Sequence, residues 1–207
     1  MKGCLLTGRQ FFLYLAHMQA LRSAIHALVP LPDDTWEAMA ACWHPVEFKR
    51  KTVITAAGDT ERYTYFVLDG LQRAFSLAEG DKEATLMFSY KGSFSGIIDS
   101  FFLQKPSRYY LETLTHSSFL RISFADVSRL MQEYPLIAHW VHLGTVHAMA
   151  GVMERMIEIQ TLGAEHKFRR LLARSPHVLQ MIPHKYLASY LGIDPATFSK
   201  LLGSARI

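Results

Sequence analysis

The stretch that decides the fold lies close to the C-terminus: IPHKYLASYLGIDPATFSKLLG, residues 182–203. Leu187, Ala188, Leu191, Ile193, Phe198 and Leu201 have the apolar spacing of two short helices packed across a tight turn. Ala188 is small where the second helix must pass close. Gly192 opens the turn with a backbone conformation that residues bearing a Cβ resist. Asp194 is placed to cap the second helix, and Pro195 suits its first turn. The spacing predicts helices over 186–191 and 196–202 in a helix-turn-helix. The second helix then presents Thr197, Ser199 and Lys200 outward, and its N-terminus directs partial positive charge toward phosphate, with His184 and Lys185 beside it. Plain core hairpins share this pattern, so the surroundings must decide its meaning.

Charge is the first of those surroundings. Residues 163–207 hold Lys167, Arg169, Arg170, Arg174, Lys185, Lys200 and Arg206 against Glu165 and Asp194, and seven against two leaves +5. The whole chain carries 22 Lys and Arg and 18 Asp and Glu, a net +4, so residues 1–162 are near neutral. A near-neutral body with a basic tail is the layout of a sensor joined to a nucleic-acid reader, though a solvated basic surface looks the same by charge alone.

Between Pro45 and Ile122 the segments are short and rich in Val, Ile, Thr, Tyr and Phe. The pattern predicts strands over 51–55, 63–68, 71–77, 84–90, 109–114 and 119–122. Their separators are Ala57-Gly58-Asp59, Asp69-Gly70, Gly80-Asp81, Lys91-Gly92 and Lys105-Pro106-Ser107. Strands at such spacing predict a sandwich, barrel or jelly roll. Helix is expected over 18–43, again after the capping signal Ser123-Phe-Ala-Asp126, and over 136–162. On this last helix Leu143, Val146, Ala150, Met153 and Ile157 form one heptad seam, and Val141, Ala148, Val152, Met156 and Ile159 a second stripe. Two apolar faces need two partners, namely the body of the subunit and the same helix of a second copy. A hinge is expected at Leu162-Gly163, then a helix over 164–174 with its basic residues outward.

This arrangement resembles the Crp/Fnr-type transcription regulators over nearly all of residues 18–207. YTYFVLDGLQRAFSL and EGDKEATLMFSYKGSFSG (63–77 and 79–96) look like the strand–Gly–strand and Gly-x-Phe core of a cyclic-nucleotide-binding domain. MIPHKYLASYLGIDPATFSKLL is similar to the reading-helix pair of a branch that typically reads IPxxYIASYLGITPExLSR. The resemblance implies an α+β chain: an N-terminal double-stranded β-helix (a jelly roll, cyclic-nucleotide-binding-like), a long dimerisation helix and a C-terminal winged-helix-like helix-turn-helix. Its divisions are an extension over 1–17, the roll over 18–134, the dimerisation helix over 135–162 and the DNA-binding domain over 163–207. The implied function is DNA-binding transcription regulation by a homodimer paired through the 136–162 helix on double-stranded DNA.

Departures from the family pattern bear on the effector. Members that bind a cyclic nucleotide have Gly-Glu after the Gly-x-Phe turn, the carboxylate holding the ribose, and an Arg-Ser pair on the phosphate. This chain has Gly96-Ile97 and Ser107-Arg108, the second pair reversed. Without the carboxylate the ribose hydroxyls would be desolvated unpaired, so weak or no cAMP binding is expected. The pocket, candidate residues Phe94, Ser95, Gly96, Ile97, Ser107, Arg108 and Tyr109, is either vestigial or shaped for an unidentified, more apolar ligand between Phe94, Ile97, Tyr109 and the long helix. On the reading helix Lys200 replaces the usual arginine, and Pro195 and Ala196 carry no hydrogen-bonding head group. Specificity is therefore shallow or rests on DNA shape. A small-ligand or protein-interaction sensor that has lost DNA binding is the alternative.

Composition narrows the rest. Apolar residues make up 50% and charged residues 19%, which excludes a disordered chain. Two cysteines, Cys4 and Cys42, supply neither a disulfide framework nor a four-thiolate metal site, and are expected as free thiols in a reducing cytoplasm. No uninterrupted run of about 20 apolar residues occurs, so no bilayer-spanning helix and no membrane partner are expected. The six-residue apolar run Phe11–Ala16 lacks a cleavage site, so export is not expected. Met18 is an equally good start, which would leave 1–17 unstructured or artefactual. No phosphate loop, nucleophile elbow or zinc motif is present, and His116 is the only histidine between 45 and 138, so neither enzyme activity nor a cofactor or metal is expected.

Overall fold

The computed structural model describes residues 8–77, 80 and 83–204. Cys4, Asp81 of the Gly80-Asp81 turn and Arg206 lie outside these residues. Two helices, α1 (Gly8–His26) and α2 (Asp33–Ala40), precede a jelly roll of eight strands: β1 (His44–Phe48), β2 (Val53–Thr55), β3 (Tyr63–Asp69), β4 (Leu71–Leu77), β5 (Glu83–Tyr90), β6 (Phe94–Ser95), β7 (Tyr110–Thr113) and β8 (Ser117–Ser123). A short helix, α3 (Ile98–Leu103), interrupts the roll after β6. The strands form two four-stranded antiparallel sheets, ordered β1-β8-β3-β6 and β2-β7-β4-β5. Then come α4 (Phe124–Glu133), α5 (Pro135–Thr161), α6 (Ala164–Arg174), α7 (Val178–Met181), α8 (His184–Leu191) and α9 (Pro195–Ser204). Among the described residues from 124 onward there is helix only.

Three apolar clusters hold these parts together. Between the two sheets Tyr65, Val67, Ile97, Leu111 and Phe119 are buried, with Phe48, Tyr63 and Tyr109 against them. On the outer side of the β3–β8 sheet a second cluster packs Leu21 and Ile25 of α1, Met39 of α2, Trp43, Phe66, Leu120, Leu130 and Ile137. Because β3 is covered on both sides, Tyr65–Leu68 are all buried, and the strand reads as a continuous apolar run rather than an alternating one. The third cluster joins α6–α9 to Leu71 and Leu114 of the roll.

The Asp69-Gly70 separator is a tight turn that carries the chain from β3 in one sheet to β4 in the other. A Cβ on Gly70, whose φ is +96°, would lie 2.4 Å from Ser117 Oγ and 2.5 Å from the His116 carbonyl oxygen, so no other residue fits. Ser123 caps α4 as its sequence predicts, its Oγ accepting the Asp126 amide at 3.1 Å.

Several expectations are corrected. Helix begins at Gly8, ten residues before Met18, and Tyr14 packs on the core, so residues 8–17 are not an unstructured extension. Strand β1 was not expected, because Pro45 reads as a breaker. It pairs on one side only, with β8, and an edge strand tolerates proline. Helix α5 is, by length and composition alone, long and apolar enough to cross a bilayer, its best 18-residue window reaching a mean hydropathy of 1.2. Its apolar residues are interrupted by single His, Gly and Thr residues, which break a run without lowering the average below a span's. The first turns of α5 pack on the body through Ile137, Trp140, Val141 and Leu143. Further along, Val146, Met149, Val152, Met153, Met156, Ile157 and Ile159 are exposed, so neither apolar stripe has a partner within one chain there.

The buried face of α1 is a stability element. Ile25→Ala should lower the unfolding free energy by about 2–5 kcal/mol. Leu13→Ala on the exposed side should change it by less than about 0.5 kcal/mol. Urea unfolding measures both, and equal losses would contradict this placement of the helix.

Candidate nucleic-acid interface

Helices α8 and α9 form the turn their sequence predicts. Gly192 ends α8 with φ +61°, its N–H donating to the Ser189 carbonyl at 3.0 Å, while the Ile193 N–H reaches the Ala188 carbonyl at 3.0 Å. Asp194 caps α9, its Oδ1 accepting the Ala196 N–H at 2.7 Å and its carbonyl the Phe198 N–H at 3.0 Å. Leu187, Ala188 and Phe198 are wholly buried, Phe198 meeting Phe168 edge-on at 5.3 Å and lying 5.5 Å from the His184 ring.

Two faces are left to solvent. His184 and Lys185 are exposed on the first turn of α8, and Ser199 and Lys200 on α9. Thr197 is half-buried rather than fully outward. The Ser199 hydroxyl donates back to the Pro195 carbonyl at 3.0 Å, so only its acceptor side faces out.

Of the lysines and arginines of α6 only Lys167 departs from the expected outward placement; Arg169, Arg170 and Arg174 are exposed and paired with carboxylates of the protein. Lys167 is buried. Arg169 pairs with Glu165 at 2.6 Å. Arg170 and Arg174 reach back to Glu158 of α5 at 3.3 and 2.8 Å, where Arg155 joins them at 3.3 Å. Glu158 is thus a buried carboxylate facing three guanidinium groups, Arg155 of its own helix and Arg170 and Arg174 from across the Leu162-Gly163 hinge. Burial pushes its pKa up, but the charge of Arg174 and the hydrogen bonds from Arg170, Arg174 and Arg155 outweigh it and hold the carboxyl below its ordinary value.

The effector-pocket residues are not brought together. Phe94 faces the helical side, between Trp43, Phe66 and Trp140 at 6.3, 5.3 and 5.4 Å. Ile97 and Tyr109 belong instead to the cluster between the sheets, so the expected apolar site between Phe94, Ile97, Tyr109 and the long helix does not exist as one cavity. The physical reason is alternation: Phe94 and Ile97 are an odd number of residues apart along extended backbone, which turns them to opposite sides. Ser95, beside Gly96, is buried and bonds Ser89 Oγ at 2.8 Å. Ser107 closes on Tyr109, its Oγ accepting the Tyr109 N–H at 2.9 Å and donating to the Tyr109 carbonyl at 2.8 Å. Arg108 is exposed beside the Tyr109 ring. Tyr65 meets Phe119 at 5.4 Å and Phe48 meets Phe119 at 5.9 Å, so aromatic rings occupy the roll's interior.

The sequence reading missed three buried charges of the roll, Glu61, Arg73 and Glu112. Glu61, 2% exposed, accepts the Thr55 hydroxyl at 2.7 Å, and burial raises its pKa. Arg73, 1% exposed, bonds Glu112 at 2.6 Å. Arg73 and Glu112 are single charged residues among strand-forming positions, a signal that surface strands share, and Glu61 stands in the charged loop Asp59-Thr60-Glu61-Arg62. A cavity of about 150 Å³ lies elsewhere, between Phe88 and Tyr90 of β5 and Leu171, Val178 and Leu187 of the C-terminal helices. Among the described residues no group of three or more His, Cys, Asp or Glu side chains is placed to hold a metal ion.

With this geometry in hand, the comparisons are specific about fold. Residues 45–134 match the cyclic nucleotide-binding domain family. No curated protein matches the sequence. Among solved structures, FixK2 from Bradyrhizobium japonicum superposes with a TM-score of 0.70 at 14% identity, over 78% of this chain and 83% of that one. The c-di-GMP responsive global regulator CLP of Xanthomonas campestris gives 0.63 at 18% identity, over 83% and 90%. The catabolite activator protein of Thermus thermophilus gives 0.54 at 20% identity, over 87% and 85%. The chain therefore contains a cyclic-nucleotide-binding-type roll and has the fold of the Crp/Fnr-type regulators, with a long helix and a helical C-terminal domain after the roll.

The Glu158 cluster makes the hinge acid-sensitive. A carboxyl held below its unfolded value (about 4.3 for Glu) contributes stability that is complete above that value and is lost as pH falls through its folded one. Glu158→Gln should therefore flatten the acid side of the stability–pH curve. An acid side identical to that of the wild type would mean that the three arginines do not depend on this carboxylate.

Proposed function

We propose that this chain is a DNA-binding transcription regulator of the Crp/Fnr type, working as a homodimer whose effector site has lost the cyclic-nucleotide contacts. The observation that carries this reading is the capped turn at Gly192–Asp194, which leaves Ser199 and Lys200 exposed on one helix and His184 and Lys185 exposed on the other. Its divisions are the roll through residue 134, the pairing helix over 135–162 and the reading domain over 163–207. No catalytic role is assigned to any residue.

Pairing along α5 accounts for the apolar side chains that one chain leaves uncovered between Val146 and Ile159. A dimer would set the two reading helices about 34 Å apart, one turn of duplex. Within the roll, Ile97 stands where a nucleotide-binding relative needs an acceptor for the ribose, and its side chain is packed among Tyr65, Leu111 and Phe119. Arg108 lies outside, so neither the sugar nor the phosphate of cAMP finds its partner. The protein then binds DNA without cAMP, as a constitutive regulator or one answering another signal.

The sensor reading is favoured by one observation, the burial of Lys167 and the pairing of Arg169, Arg170 and Arg174 with the protein's own carboxylates. Among the described residues of the tail, Lys185 and Lys200 are the exposed lysines and arginines without an ion pair. Fluorescence anisotropy with mixed-sequence duplex DNA separates the two readings. A regulator binds at low ionic strength and weakens steeply with salt, and Lys200→Ala reduces the log–log slope by about one. A complete lack of binding at low ionic strength would favour the sensor.

Two further measurements bear on the dimer and the pocket. Light scattering should give twice 23.6 kDa for the wild type and a monomer for Val152→Asp. A dimer that survives Val152→Asp would place the interface off α5. Calorimetry with cAMP and with cGMP should register no binding, and micromolar affinity for either would overturn the pocket assignment.

A further inference from the structure

We propose that the roll itself aims the DNA-reading helices: Arg73 and Lys51 pin Tyr186 of α8, so that roll and helix-turn-helix turn as one body, and Arg73 is a positioning residue for DNA reading. The inference deepens the regulator reading and rests on it for its DNA arm.

The pin is assembled on the roll side first. β5 is an edge strand, and Arg73 of neighbouring β4 sits opposite Glu112 of β7 and Phe88 of β5. Its Nε donates to Glu112 at 2.6 Å, one Nη pairs with Glu83 at 2.6 Å, and the other reaches Thr85 Oγ1 at 3.4 Å. The roll thereby neutralises and orients the guanidinium before any helix touches it. Its faces remain, and the Phe75 and Tyr186 rings take them, each 4.0 Å from the guanidinium carbon. Arg73 lies between a ring of its own strand and a ring of the reading domain.

A second cation arrives from the β1–β2 loop. Lys51 donates from Nζ to the Tyr186 hydroxyl at 2.8 Å. Its φ is +64°, and it is one of two non-glycine residues with positive φ among those described. That strained turn, fixed by the Lys51 N–H on the Thr113 carbonyl at 2.8 Å, is what brings Lys51 to the seam. Burial raises the Tyr186 phenol, but the Lys51 hydrogen bond and the charges of Arg73 and Lys51 outweigh it and hold the phenol below the ordinary tyrosine value.

The rest of α8 is fastened in register. Ser189 Oγ accepts the Thr85 N–H at 2.9 Å and donates to the Glu83 carbonyl at 3.0 Å, so it pairs with the open backbone edge of β5 as a neighbouring strand would. Phe88 packs on Tyr190 at 5.4 Å and Tyr90 on His177 at 5.3 Å. From the other side Arg155 of α5 donates to the Tyr190 carbonyl. Lys185 borders the pin, its Nζ 4.7 Å from the centre of the Tyr186 ring, while His184 of α8 and Ser199 and Lys200 of α9 stay uncovered with the pin closed. The docked arrangement is therefore the one ready for DNA.

The pin also supplies a route for a signal. Leu111 is in the roll's inner cluster, and the next residue, Glu112, holds Arg73 on the outer side of the same strand. A change inside the roll at Leu111 reaches Tyr186 through two side chains, without passing along α5.

Three variants test this: Tyr186→Leu, which keeps an apolar residue in α8, Tyr186→Phe, which keeps the ring on Arg73 and loses the Lys51 bond, and Arg73→Met/Glu112→Met, which removes both buried charges together. Retained helical circular dichroism identifies folded variants. The readouts are chymotryptic cleavage after Leu162 in the hinge and affinity for a duplex that the wild type selects from a random-sequence pool. Unpinning frees the reading helices to reorient, so Tyr186→Leu and the double variant should be cut about tenfold faster and bind about tenfold more weakly, with Tyr186→Phe between them and the wild type. Unchanged cleavage and affinity in both strong variants would overturn the pin. Tighter DNA binding would overturn the DNA-ready assignment, making the docked state the inactive one. If the wild type selects no duplex, the regulator reading falls, and hinge cleavage alone decides whether the pin exists.

Discussion

Arg73 has almost no exposure, and a guanidinium cannot be removed from water without counter-charge and acceptors for its donors. Everything at the seam follows from meeting that demand. Glu112 and Glu83 meet it from within the roll, which fixes the plane of the group. A fixed plane offers two faces, and aromatic rings are the groups that bury against such faces without competing for its donors. One of those rings is Tyr186, on the first helix of the reading domain. The position of the domain is thus tied to a charge that the roll must satisfy in any case.

The second joint has the same logic with the signs reversed. Glu158, near the end of α5, is a buried carboxylate that requires cations, supplied by Arg155 on the same helix and by Arg170 and Arg174 from across the hinge. One consequence reaches the DNA. In the proposed regulator, arginines paired with Glu158 offer phosphate less charge, and among the described residues Lys185, Lys200, His184 and the N-terminus of α9 are the groups not so paired. A surface this sparse positions itself on DNA through few contacts. Its specificity then depends on how rigidly the helices are held and on the shape of the duplex.

The sequence carried the roll and the helix pair clearly, because both are written locally. Asp69-Gly70 marks a turn between the sheets that only glycine can make, Ser123 and Asp126 announce a cap, and Gly192-Ile193-Asp194 sets a turn. Long-range matters were not legible. Pro45 hid an edge strand, since its tolerance there depends on which strand it pairs with. The +5 tail overstated the charge facing DNA, since the partner of Arg170 and Arg174 lies in another helix. Phe94 and Ile97, three residues apart, suggested one pocket, whereas the two sides of the sheet separate them. Arg73 and Tyr186 are 113 positions apart in the chain, and neither is unusual until the fold stacks one on the other.

The most direct measurement is a structure of the protein bound to a duplex it has selected. This account predicts two copies paired along α5, their α9 helices in successive major grooves about 34 Å apart, and Tyr186 still stacked on Arg73 in each copy. A complex in which α8 has left β5, or in which DNA is held by a surface other than α8 and α9, would contradict it.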